Sequence, residues 1–211
     1  MKTLIIGCGL MGLTTAYLLR LRGHEVTVLD RNSGPGQETS FANGALLTPS
    51  MSDPWNAPGS WRVLLSSLLR SDAPLQLHLR TLPSMMGWGI EFLKNSRPGA
   101  YDRNTRRNLS LALYSLDVLK ALREQTNIDY GRTARGSLRI FRDRDGFERA
   151  CAAAERLRSE GLGYRALSAV EATEFEPALA PIASELVGAV HYQTDETGDA
   201  YQFCVRLAEC A

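Results

Sequence analysis

The sequence predicts an α/β protein, and three observations near its start predict it. A short, wholly apolar run, Leu4-Ile5-Ile6, breaks at Gly7-Cys8-Gly9. Helical spacing follows from Leu10 to Arg22, and Glu25–Asp30 then alternates polar and apolar side chains. An apolar run of this kind suits a parallel strand buried on both faces. In the helix, Leu10, Leu13, Tyr17, Leu18 and Leu21 share a face, with Ala16 on the packed side and Gly23 as the C-terminal cap. Together they make one strand–turn–helix–strand unit.

The rest of the chain reads in order. Residues 31–60 are rich in Gly, Ser, Asn and Pro, and a structureless stretch of that length inside a compact domain is usually functional. Residues 61–94 give helical patterns broken at Pro74 and Pro83. Asn104–Gln125 is the best helix, with Leu109, Leu113, Leu116 and Leu119 to Leu122 as one core-facing stripe. Gly136–Arg142 alternates like a half-exposed strand, and Asp143–Gly161 is amphipathic and closed by Gly161. Ser168 and Glu171 match a capping box ahead of a short helix. Leu186–Tyr192 is a further strand, and Asp195–Asp199 turns into a last helix, Ala200–Cys210.

Composition narrows the function. At 211 residues and 44% hydrophobic, the chain can bury a core and is not disordered. A net charge of +1 gives no global reason to bind nucleic acid. Residues 97–142 nevertheless carry 10 basic against 4 acidic side chains, a solvated helix face or a surface for anionic lipid. Cys8, Cys151, Cys204 and Cys210 form no Cys-x-x-Cys pair, so a reducing, cytoplasmic compartment is expected. Met1–Leu19 is interrupted by Gly7, Gly9 and Gly12 and followed by Arg20 and Arg22, so it is not read as a targeting or membrane segment.

The chemistry is concentrated in Gly7-x-Gly9-x-x-Gly12, set between a predicted strand and helix. Gly7 permits the tight turn, Gly9 lets backbone approach a pyrophosphate, and Gly12 lets the helix lie close to the strand. The helix N-terminus then offers N–H groups and partial positive charge to the phosphates. Asp30, 18 residues after Gly12, is placed to accept hydrogen bonds from a ribose diol. These features define a dinucleotide site and leave NAD and FAD both open.

Gly7-Cys-Gly-Leu-Met-Gly12, with Ala16, Gly23 and Val26-x-Val28-x-Asp30-Arg31, resembles the FAD-binding N-terminus of the D-amino-acid oxidase and dehydrogenase superfamily. Glu38–Gly44 and Pro54–Gly59 are similar to bacterial FAD-dependent D-amino-acid dehydrogenases, as are Gly136–Phe141 and Asp195–Asp199. Where that family usually reads Ala-Asn-Ala-Gly, this chain has Ala42-Asn43-Gly44-Ala45. The resemblance implies a Rossmann-like FAD-binding domain with an inserted α+β substrate domain. The parts expected are FAD-binding with connecting helices (1–95), substrate domain (96–197) and a helix returning to the FAD domain (198–211).

The resemblance also implies residue roles. Backbone from Ile6 through Gly7, Cys8, Gly9, Leu10, Met11 and Gly12 would hold the FAD pyrophosphate. Asp30 would bind ribose, with Arg31 beside it, and Thr39, Ser40, Asn43 and Gly44 would lie along the flavin. From the residues alone, Ser40 and Asn43 read as turn chemistry. The implied reaction is oxidation of a D-amino acid by hydride transfer from Cα to flavin N5, giving a 2-oxo acid and ammonia. The electron acceptor (oxygen, quinone or dye) stays open, and peripheral contact with the inner membrane face is part of the family picture. Family members are about twice as long, so this chain reads as an incomplete N-terminal half, inactive and poorly stable alone.

Other candidates are weaker. His24, His78 and His191 are scattered without ligand spacing, so no metal is expected. Cys8, near a helix N-terminus that could lower its pKa, reads as a small packed residue. Ser40 lacks a nucleophile elbow. Trp55, Trp61 and Trp88 line a substrate entrance or pack internally. No side chain is singled out as the catalytic acid or base. An NAD-dependent dehydrogenase and a non-catalytic cofactor-holding subunit are the competing readings.

Overall fold

The computed structural model describes residues 1–62 and 82–210. The helical pattern expected within 63–81, its break at Pro74, and His78 lie outside the described residues. Among the described residues there are seven strands: β1 (Lys2–Ile6), β2 (Glu25–Leu29), β3 (Leu46–Leu47), β4 (Ser137–Phe141), β5 (Tyr164–Ser168), β6 (Gly188–Tyr192) and β7 (Glu196–Thr197). The described α-helices are α1 (Leu10–Leu21), α2 (Leu82–Asn95), α3 (Pro98–Thr126), α4 (Arg144–Arg158), α5 (Ala169–Phe175) and α6 (Ala200–Cys210). The chain divides into two compact units, residues 1–50 with 113–211, and residues 51–112.

In the first unit β1 and β2 pair in parallel, joined by α1. The helix stops where expected: the Gly23 N–H donates to Arg20 O (2.9 Å) and the His24 N–H to Leu19 O (3.2 Å). Leu13 and Tyr17 of α1 pack with Phe203, Cys204 and Leu207 of α6 and with Leu122 and Tyr130. That is the main core beneath the strand–helix turn. One expectation fails. β1 is covered on one face only, where Thr3 and Ile5 are half-buried: Leu4 is 60% exposed and Ile6 82%. The side chains of a strand alternate between faces, and the helix covers only one of them.

A second, antiparallel sheet has the order β4-β6-β5, with all five residues of β6 buried. Asp143 caps α4 by accepting from the Gly146 N–H, and the Ser168–Glu171 capping box on α5 forms in both directions. β5 was not legible in the sequence, because only Leu167 in Tyr-Arg-Ala-Leu-Ser is fully buried and no alternation shows. β7 is too short to carry a period. It pairs antiparallel with β3, Leu46 opposite Thr197 and Leu47 opposite Glu196.

The second unit contains α2 and the first part of α3. Pro83 does not break α2 but stands in its first turn, where its missing N–H is no loss. Trp55, Trp88 and Phe92 cluster, with ring centroids 5.0–6.2 Å apart. This corrects the packed alternative: Trp55 is 75% exposed, and Trp61 and Trp88 are also exposed. Among the described residues no helix is long and apolar enough to cross a membrane.

Candidate functional site

The glycine turn is built as its spacing demands. Gly7 has φ +104°, a left-handed conformation that suits glycine, and its N–H donates to Leu29 O at 2.8 Å, tying the turn to β2. A Cβ on Gly12 would stand 1.9 Å from Gly7 O, so only glycine lets α1 sit this close to the turn. Gly9 is the N-cap of α1 and has no side chain to cap it. The Leu10, Met11 and Gly12 N–H groups have no carbonyl within the helix to reach. The result is a backbone cradle with donors and positive helix-end potential facing outward, which fits a pyrophosphate.

Asp30 does more than its position suggested. Its Oδ2 accepts the Cys8 N–H at 2.6 Å and its Oδ1 accepts the Asn32 N–H at 2.8 Å. These donors, Cys8 first and then Asn32, hold the carboxyl below the ordinary aspartate range, so it is an anion with lone pairs left for a diol. Cys8 departs from the lowered pKa considered for it. Burial first, and the Asp30 carboxylate second, push the thiol up, which matches the packed role. Arg31 lies beside Asp30 but pairs with Glu38 (Nη2–Oε1 2.5 Å), which also accepts from Asn32 Nδ2 (3.2 Å). That exposed pair fastens the 31–38 loop. Asn32 and Arg31, in that order, depress the Glu38 pKa.

Ser40 reaches the cradle from 30 residues away: its Oγ accepts the Leu10 N–H at 3.2 Å. The same residue lines a cleft of about 330 Å³ with Phe41, Ala42, Asn43 and Ala45 on one side and Gly131 and Thr197–Ala200 on the other. The cleft therefore starts where the cradle ends. Asn43 Oδ1 accepts the Ala45 N–H at 2.8 Å, the turn chemistry read from its residue type, and holds Ala45 at φ +53°. Thr39 and Gly44 are exposed on this loop, and the exposed side chains of Ile6 and Met11 leave only their backbone for the cradle. His191 Nε2 lies 2.9 Å from Arg135 O and its ring packs against Phe175 at 4.5 Å, tilted by 46°, a packed histidine remote in sequence from His24.

The opposite wall depends on residues whose roles the sequence did not reveal. Asp195 stands just before β7 and Glu196 is its first residue. Asp195, 1% exposed, accepts from Ser50 N (3.1 Å), Ser50 Oγ (2.6 Å) and Ser137 Oγ (2.5 Å). Glu196 turns toward Arg123 and Arg132. Its Oε2 accepts from Arg123 Nη1 (2.6 Å) and Arg132 Nε (2.8 Å), and its Oε1 from Arg132 Nη2 (2.7 Å). These bonds, led by Arg132, lower its pKa from 4.5 to about 2 against a smaller opposing effect of burial. Thr197 exchanges backbone hydrogen bonds with Thr133, and the Gly198 N–H donates to Ala45 O. Asp199 caps α6 through the Gln202 N–H (3.0 Å). No pattern of residue types foretold these pairings, although Asp195–Asp199 had been singled out as a motif.

Comparison with known proteins follows the same lines. The family model described as FAD dependent oxidoreductase (DAO) matches residues 2–211. The chain is 42% identical over 212 residues to a D-amino acid dehydrogenase of Paramagnetospirillum magneticum and 41% identical over 211 to one of Dechloromonas aromatica. Each match covers 100% of this chain and 50% of the relative, so the chain spans half the length of these curated relatives. Among solved structures, glycine oxidase from Bacillus cereus superposes with a TM-score of 0.57 at 22% identity, covering 99% of this chain and 42% of that one. L-proline dehydrogenase from P. horikoshii superposes with a TM-score of 0.59 at 18% identity, covering 99% and 40%. At these identities the two structures speak for the fold alone.

Proposed function

This chain belongs to the FAD dependent oxidoreductase family, and from that premise we propose that it forms the cofactor-gripping part of a dehydrogenase of D-amino acids. FAD takes the place that the glycine fingerprint left open between two dinucleotides. The observation that carries the reading is the continuity of the Gly7–Gly12 cradle with the cleft through Ser40. The D-amino acid comes from the relatives that are 42% and 41% identical.

Bound FAD would supply two-electron oxidation by accepting the hydride from the substrate Cα, while the substrate amino group gives its proton to solvent and water then hydrolyses the released imine to a 2-oxo acid and ammonia. The chain's part is to bind and orient. Backbone from Ile6 to Gly12 and the N-terminus of α1 take the pyrophosphate, which competes with Ser40 Oγ for the Leu10 N–H. Asp30 accepts from the ribose diol while still holding the Cys8 N–H. Ser40 and Asn43 line the cleft toward the flavin end, and Thr39 and Gly44, on the same loop, would lie beside the flavin. The functional division is 1–95, 96–197 and 198–211. The antiparallel sheet falls within the middle part, and the packing of α6 on α1 supports a return to the cofactor part.

The same proposal extends to a peripheral seat on the cytoplasmic membrane face, with electrons passing to a quinone. The exposed Trp55, Met86, Trp88 and Ile90, with Lys94 and Arg97 following, favour it, because such a surface suits the lipid interface.

The test is the flavin itself. Protein expressed from its own gene should purify yellow, and under anaerobic conditions D-amino acids should bleach the visible band while L-enantiomers leave it. A colourless protein, or bleaching by NADH and no amino acid, refutes the reading.

A further inference from the structure

β7 is only two residues long, and its ladder to β3 is equally short. Side chains must therefore fix where the cleft wall stands. Arg132 directly follows Gly131 and Glu196 directly precedes Thr197, two segments of the same cleft wall. The two side chains meet in a bidentate pair that ties these two segments of the wall together. A second route runs through Arg123, whose Nη1 bonds Glu196 and, at 3.0 Å, Tyr130 Oη. The Tyr130 ring abuts Gly198 so closely that a Cβ there would lie 2.3 Å from Cε2. One carboxylate thus reaches Gly131 through Arg132 and Gly198 through Arg123 and Tyr130.

We propose that Glu196 is a positioning residue for the cofactor cleft, setting through Arg123 and Arg132 where Gly131 and Thr197–Asp199 stand against the flavin. The proposal rests on the FAD reading above. Apolar residues often fill such a half-buried position without loss of stability, whereas a forked ion pair defines one geometry. Glu196 is 14% exposed, unlike the open pair Lys2–Glu25.

The experiment compares the flavin-loaded protein with Glu196→Gln, Arg132→Lys and, as a control, Glu171→Ala, which breaks the capping box of α5. Visible circular dichroism of the bound flavin, FAD affinity and melting temperature are measured. Glu196→Gln and Arg132→Lys should alter the flavin dichroism and weaken FAD about tenfold, and Glu171→Ala should lower the melting temperature with dichroism and affinity unmoved. If Glu196→Gln does not fold, Arg132→Lys decides, since it keeps the charge and loses only the fork. A flavin-loaded parent whose cleft variants lose stability with unchanged dichroism and affinity overturns the role of Glu196 alone. A parent that takes no FAD overturns the functional reading instead.

Discussion

Adding one methyl group at Gly12 separates packing from ligand binding when compared with the same change at Gly9. An alanine Cβ at Gly12 would stand 1.9 Å from Gly7 O and 3.0 Å from Gly7 C, with Ile5 Cγ2 at 3.6 Å. Ordinary contact begins near 3.4 Å, so α1 must retreat by about 1.5 Å. The obstacle is backbone, which cannot swing aside, and the retreat loosens Leu13 and Tyr17 in the core. Overpacking of this kind costs about 3 kcal/mol, or a fall of about 6–12 °C in melting temperature for a chain of this size. At Gly9 the new Cβ would meet only Ser40 Oγ, at 3.4 Å, and the backbone (φ −85°, ψ −172°) is open to any residue. Gly9→Ala should therefore fold with a change within about 0.5 kcal/mol, yet bind FAD at least about tenfold more weakly because the methyl enters the space of the pyrophosphate. Urea unfolding of the apoprotein and quenching of FAD fluorescence measure the two effects. If Gly12→Ala matches the parent in stability, or Gly9→Ala matches it in affinity, the assignment of these glycines is wrong.

Three further outcomes are expected. Asp195→Ala leaves the Ser50 N–H and the Ser50 and Ser137 hydroxyls without their acceptor beside a buried position, and should lose about 3 kcal/mol in urea unfolding; a change under about 1 kcal/mol would show that water reaches them. Because the folded pKa of Glu196 is depressed to about 2 from 4.5, its stabilisation is whole above pH 4.5 and drains away as pH falls toward 2. Glu196→Gln should flatten the acid-unfolding profile in that window, and identical profiles would refute the ion-pair account. Asp30→Asn leaves one oxygen for two backbone donors, Cys8 and Asn32, so FAD titration should show weaker binding, and parental affinity would remove Asp30 from the site.

The sequence by itself determined the cradle. Leu4–Ile6, the spacing of Gly7, Gly9 and Gly12, the apolar face of α1 and the place of Asp30 all follow from interactions spanning a few residues to about a score. Glycine sterics and the two backbone periods are local, so residue types suffice to read them. The capping box at Ser168 was legible for the same reason. Only the tertiary structure decided the far wall of the cleft. Asp195 finds Ser50 across 145 residues, and Glu196 finds Arg123 across 73 and Arg132 across 64. A carboxylate has no period and no intrinsic partner; which donors it meets is set by the crossing of segments that only the folded chain brings together. The bared face of β1 has the same origin, since Leu4 and Ile6 look alike in sequence whether or not anything covers them.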